Sequence, residues 1–249
     1  MKILYTLLIG ATLLSSCGGS SKKIVEPKPQ ETEVWSPIPP TVIPSKNNLP
    51  PSDAIVLFDG RNINEWIHSK DKSPAQWILN PDASMTIKPK SGSIITKKEF
   101  GSIQLHLEWK SPSEINGDGQ GRGNSGVFLQ NRYEVQILDN NNNQTYSNGQ
   151  VGSIYKQSVP LAQASSKTGE WNTYDIIYHA PIFNEKGVKT TSATITVLHN
   201  GILVQDNFEI KGTTEYIGAP KNNAHGKAPI QLQDHGSEVS FRNIWVREL

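Results

Sequence analysis

The sequence predicts an all-β domain, a sandwich of two antiparallel sheets, and three observations carry that prediction. Helical periodicity is almost absent: no window of a dozen residues keeps apolar positions at i, i+3, i+4 and i+7 without Gly or Pro interrupting it. Period-two alternation takes its place, most plainly in Ile103-Gln104-Leu105-His106-Leu107-Glu108-Trp109-Lys110, where every second side chain is apolar. Between Thr194 and Phe208, Asn200-Gly201 separates two β-rich runs, and both residues tolerate the positive φ of a tight hairpin turn.

In chain order, the first segment sets the compartment. Met1-Lys2 gives a short positive start, and Ile3 to Leu14 is an apolar run of about a dozen residues, too short for a bilayer span of ~20. The run ends at Leu14-Ser15-Ser16-Cys17, which resembles the bacterial lipoprotein box, so residues 1–16 are expected to be a signal peptide and Cys17 the acylated residue. Cys17 is the single cysteine and has no partner for an internal disulfide, which favours that use. An exported protein held to a bacterial membrane by lipid alone follows. Half of the 16 prolines lie between Pro27 and Pro51, so 17–52 reads as an extended tether. Residues 53–249 then form one domain, with further strands expected at 54–58, 76–79, 84–88, 93–97, 125–130, 133–138, 171–180, 228–233 and 238–247, the last pairing near the first. Trp66, Trp77, Trp171 and Trp245 are expected in its core. A net charge of +1, with no basic run interleaved with aromatics, argues against nucleic acid as a partner.

Several motifs invite misreading. Gly121-Arg122-Gly123-Asn124-Ser125-Gly126 matches the dinucleotide fingerprint but leads into a strand, so no helix N-terminus awaits a pyrophosphate. Asn116-Gly117-Asp118-Gly119-Gln120-Gly121 imitates the front of a calcium loop, yet Val127 stands where the bidentate Glu belongs. A glycine-rich loop over a binding face is the better reading. The stronger signal is Tyr133-Glu134-Val135-Gln136-Ile137, which places Glu134 and Gln136 on one strand face. Gln231-Leu232-Gln233-Asp234-His235 repeats the device, with Gln233 and His235 on a shared face. Carboxylate, amide and imidazole side by side suit a hydroxyl-rich ligand.

These motifs, with Phe58-Asp59-Gly60, Gly169-Glu170-Trp171-Asn172 and Phe241-Arg242-Asn243-Ile244, occur in one order that resembles the 3-keto-disaccharide hydrolase domain family. The resemblance covers about residues 53–249 and implies a concanavalin-like jelly roll and an oligosaccharide or 3-keto-glycoside substrate. Ordinary glycosidases flank the bond with two carboxylates. Laminarinase-type enzymes carry E-x-D-x-E on one strand, where this chain has Glu134-x-Gln136-x-Leu138. A 3-keto sugar opens another route: the carbonyl acidifies the hydrogen on C2, a base removes it, the enolate expels the C1 substituent, and water adds back. That chemistry needs one base and something positive at the enolate oxygen. Glu134 or His235 is expected as the base, with the other as its partner, and Asn124, Gln136 and Gln233 as hydroxyl-binding residues. Arg242 or a divalent cation, calcium or a transition metal, is expected at the oxyanion, with Asp139 and Asp234 as candidate ligands beside Glu134 and His235. A non-catalytic, lectin-like sugar-binding module is the alternative, because fold alone does not imply chemistry; a partner-binding scaffold is the third.

Overall fold

A computed structural model describes residues 26–46 and 49–249. Cys17 and the expected signal peptide lie outside the described residues. Two units divide the described residues, the first ending at Thr41 and the second running from Val42 to Leu249. The described part of the first contains a single 3-10 turn, Pro29–Glu31.

The second unit is a jelly-roll sandwich. Its strands are β1 (Ile55–Phe58), β2 (Trp66–His68), β3 (Ile78–Leu79), β4 (Met85–Thr86), β5 (Ile94–Thr96), β6 (Ile103–Lys110), β7 (Ser125–Leu129) and β8 (Tyr133–Ile137), followed by β9 (Asn172–His179), β10 (Ile182–Phe183), β11 (Lys189–Thr191), β12 (Thr194–His199), β13 (Ile202–Glu209), β14 (Gln231–Leu232) and β15 (Ser240–Glu248). Eight strands form the larger sheet in the order β13-β12-β9-β6-β15-β4-β3, with β1 also on β15; five form the smaller, β2-β5-β14-β7-β8. Every pairing is antiparallel. The last strand does pair with the first, Val246 opposite Ile55.

The alternation read in β6 is realised: Ile103, Leu105, Leu107 and Trp109 are buried against the smaller sheet, while Gln104, His106, Glu108 and Lys110 face outward. Asn200 and Gly201 turn the β12–β13 hairpin with φ of 52° and 77°. The core is almost wholly aliphatic and aromatic, crossed by two tyrosine hydroxyls from β9. Tyr174 donates to the Gln136 carbonyl at 2.6 Å and Tyr178 to Gln130 Oε1 at 2.6 Å. The larger sheet is thereby tied to the strand that carries Glu134, and a buried hydroxyl finds its acceptor. Trp66 and Trp77 lie in the core as expected, but Trp245 and Trp171 do not: Trp245, though buried, faces outward onto His106, and Trp171 is only half-buried. Trp171 immediately precedes β9 and lies beneath the Arg242 guanidinium, whose carbon is 4.1 Å from the ring centroid.

Candidate active site

Three strands of the smaller sheet build a cavity on their outer face. In register, Phe128 on β7 stands opposite Glu134 on β8, and Gly126 opposite Gln136. On the other side of β7, Gln231 pairs with Phe128, and the Gln233 N–H donates to the Gly126 carbonyl at 3.0 Å. Gly126 is therefore ringed by Glu134, Gln136 and Gln233. A Cβ at position 126 would lie 2.3 Å from Glu134 Oε1, so the absent side chain is the space the carboxyl occupies. Asn124, Glu134, Gln136, Gln233 and His235 all line one cavity of about 240 Å³, joined by Phe128, Tyr155, Thr214 and Tyr216.

Glu134 shares the polar face of β8 with Gln136, as expected, yet loops cover it and only 4% of it is exposed. Burial is the cause that pushes its carboxyl up to about 8, and among the described residues no ion pair includes it. The Gln136 amide, turned with its nitrogen toward Glu134, donates to Oε1 at 3.2 Å and to the Ser125 carbonyl at 3.2 Å. Gln233 Oε1 is buried without a hydrogen-bond donor, an unmet acceptor beside the cavity that a ligand hydroxyl would satisfy. Asn124 Nδ2 donates to the Gln120 carbonyl at 2.7 Å, which ties the glycine-rich loop to the cavity wall. His235 stands exposed at the rim, on a turn that Asp234 shapes.

Asp234 and Asp139 are corrections to the sequence expectation, because neither is free to ligate a metal. Asp234 Oδ2 accepts the Gly92 N–H at 2.9 Å and Oδ1 the Gly236 N–H at 2.9 Å, so this carboxylate holds the His235 turn. Asp139 is buried in an ion pair with Arg122 (2.9 Å) and accepts from Thr168 Oγ1 at 3.0 Å. Among the described residues no group of three or more His, Cys, Asp or Glu side chains is placed to hold a metal ion. The donor set does not fit a cation, and no step below is routed through one.

Arg242 is the third correction. It lies on β15 of the larger sheet, on the opposite outer face, where its Nε donates to Glu108 Oε2 at 2.6 Å. It takes no part in the Glu134 cavity, so the enolate-stabilising role expected of it has no place there. Tyr155, Thr214 and Tyr216 went unread in the sequence because they come from loops without alternation. Thr214 Oγ1 accepts the Glu134 N–H at 3.0 Å, and the Tyr155 and Tyr146 hydroxyls meet at 2.5 Å. Only the density of hydroxylated residues in Gly212-Thr213-Thr214-Glu215-Tyr216 hinted at them.

Similar proteins bear on its identity. A crystal structure from Parabacteroides distasonis, provisionally assigned as a glycosyl hydrolase, is 50% identical, with a TM-score of 0.85 over 89% of this chain and 97% of that one. A second from the same organism, assigned in the same provisional way, is 25% identical with a TM-score of 0.55 over 79% of this chain and 99% of that one. A curated relative, the 3-keto-disaccharide hydrolase of Bacteroides thetaiotaomicron, is 27% identical over 241 residues, 78% of each chain. The model of the 3-keto-alpha-glucoside-1,2-lyase-like domain matches residues 53–247, and this chain belongs to that family of carbohydrate-cleaving enzymes.

Proposed function

We propose that the protein cleaves the glycosidic bond of 3-keto-glycosides, with Glu134 as the base that takes the proton from C2. The observation that carries this reading is the burial of Glu134, unpaired, beside a polar cavity, which sets its proton affinity near that of a base working at neutral pH. A carboxylate of raised affinity is a stronger base toward a carbon acid than one of ordinary affinity.

In this scheme the C2–H electron pair passes into the C2–C3 enolate as Glu134 gains the proton. The pair then returns to form the C1–C2 double bond as the C1–O bond breaks. The departing oxygen takes a proton, for which His235 at the rim is the donor. The product is a conjugated enone, and addition of water across its double bond completes a net hydrolysis. The lyase in the family's name fits the elimination, and the hydrolase in the curated relative's name fits the sum of the two steps. Gln136 and Gln233 hold substrate hydroxyls, the latter through its unmet Oε1. Asn124 shapes the wall between them.

Export and acylation at Cys17 complete the proposal: the lipoprotein-like box and the proline-rich stretch between Pro27 and Pro51 fit an enzyme tethered to a membrane surface. Membrane fractionation of the full chain beside a Cys17→Ala variant tests that part. The catalytic part is tested with a 3-keto-glucoside, following aglycone release and the ultraviolet absorbance of the enone. Glu134→Gln and His235→Ala are expected to abolish or greatly reduce release. Wild-type turnover by both would remove these residues from the mechanism.

A further inference from the structure

The outer face of the larger sheet carries a second polar array that shares no residue with the Glu134 cavity. On β6 and β15, Arg242 stands opposite Glu108 and Trp245 opposite His106. Between them β15 bulges at Asn243, whose φ is 48°. The bulge sends two consecutive side chains to one face, and both reach the same carboxylate. Arg242 Nε donates to Glu108 Oε2 at 2.6 Å, and Asn243 Nδ2 to Oε1 at 2.9 Å. Asn243 Nδ2 also lies 3.3 Å from His106 Nε2. The Nδ1 of that histidine pairs with Asp175 at 2.7 Å, and its ring lies flat on Trp245, with centroids 5.1 Å apart.

Contacts hold this net at both ends, His106 to Asp175 and Arg242 to Trp171, and Glu108 within it is only 5% exposed. Trp171 supports the guanidinium from below, and Glu108 fixes its Nε. Arg242 Nη1 and Nη2 meet no protein acceptor among the described residues, although the side chain is only 31% exposed. Over the net opens a groove of about 520 Å³, walled by polar Asp59, Arg61 and Asp82 and by apolar Pro50, Val56 and Trp245. Its charges are largely matched internally, Arg242 with Glu108 and Arg61 with Asp59 at 3.5 Å. An anionic or cationic ligand would gain little there. A neutral ligand rich in hydroxyls would find a pre-oriented pair of donors, and acceptors beside them, without the entropy cost of ordering long side chains.

We propose that this groove is a second saccharide-binding site, taking a neutral glycan chain away from the catalytic cavity, with Arg242 as its principal donor and Glu108, Asn243 and Trp171 as positioning residues. The site stands independently of the catalytic assignment.

The test uses the Glu134→Gln protein, so that turnover cannot consume the ligand, titrated calorimetrically with maltotetraose and with cellotetraose at millimolar concentration. At least one is expected to bind, and Arg242→Met and Glu108→Gln in that background are each expected to weaken it tenfold or more. Quenching of tryptophan fluorescence on binding should be lost in the same variants. Unchanged affinity in both variants, or no binding of either glycan, overturns the proposal and leaves the role of Glu134 untouched. Should Arg242→Met not fold, Arg242→Lys keeps the charge and stem but not the planar fork. It is expected to lose the affinity equally, and retention would refute the role given to Arg242.

Discussion

Replacing Glu134 by Gln should make the protein more stable while destroying its activity. The chain of reasoning begins with the buried carboxyl, whose ordinary value of 4.5 is raised to about 8 in the fold. A folded-state value above the unfolded one means the folded protein holds the extra proton between the two. Stability is then fully present below about 4.5 and is lost as pH rises toward and through about 8. At 1.36 kcal/mol per unit, the cost at pH 7 is on the order of 3 kcal/mol, and above pH 8 it levels near 5 kcal/mol. A glutamine of the same shape never ionises and escapes that cost. For a domain of this size each kcal/mol moves the melting temperature by about 2–4 °C, so the variant should melt roughly 6–12 °C higher at pH 7. At pH 5 the difference should shrink to about 1 kcal/mol. Differential scanning calorimetry of both proteins at pH 5, 7 and 8 measures this directly. A gap that does not widen with pH, or a variant that melts lower throughout, would refute the claim that Glu134 is held neutral by burial.

The same proton governs rate, with the opposite consequence. If Glu134 acts as the base, kcat/KM on a 3-keto-glucoside should rise about tenfold per pH unit from pH 6 and level near pH 8, and a profile falling over that range would make it an acid. Gly126→Ala should push a methyl into the space of Glu134 Oε1, lowering kcat/KM a hundredfold or more while costing about 1–3 kcal/mol in a denaturant melt. Near-wild-type turnover would show that the carboxyl can move aside without loss. Arg122→Ala should strand the buried Asp139 charge and cost about 3–5 kcal/mol, read as a fall in denaturation midpoint. Little change would mean that solvent reaches Asp139.

The fold was legible wherever one sheet face is core and the other is not. In β6 the alternation is unbroken and the strand matches it residue for residue. The short β2, β10 and β11 were missed, whereas β3, β4, β5 and β14, equally short, lie inside longer β-rich runs that could be read. In the site, strand parity alone puts Glu134 beside Gln136 on β8, and Gln233 and His235 reach the same cavity although β14 ends at Leu232 and His235 sits on a turn. The burial of Glu134 was not legible. It comes from Thr214 and Tyr216, some 80 residues downstream of Glu134, and from Tyr155, through contacts that no local pattern encodes. Asp139 and Asp234 misled for a related reason: acidity can be read from sequence, but the arginine or backbone N–H that consumes it cannot.

Arg242 is the instructive failure, because its sequence did hold the missing information. Phe241 and Ile244 are both buried in the core. In an unbroken strand, positions three apart point to opposite faces. Two apolar residues separated by two polar ones can share the core only if the chain gains a residue between them. Asn is the residue type, after Gly, that most readily takes the left-handed conformation such an insertion demands, and Asn243 takes it at φ 48°. Phe-Arg-Asn-Ile within a strand is therefore a bulge signature, and the bulge aims Arg242 and Asn243 together at the outer face of the larger sheet. Asn243→Gly should preserve that backbone while removing the amide from Glu108, whereas Asn243→Val should resist the left-handed conformation and disturb the strand itself. A Val variant as stable as the Gly variant would show that β15 does not depend on the bulge to set which way its side chains face.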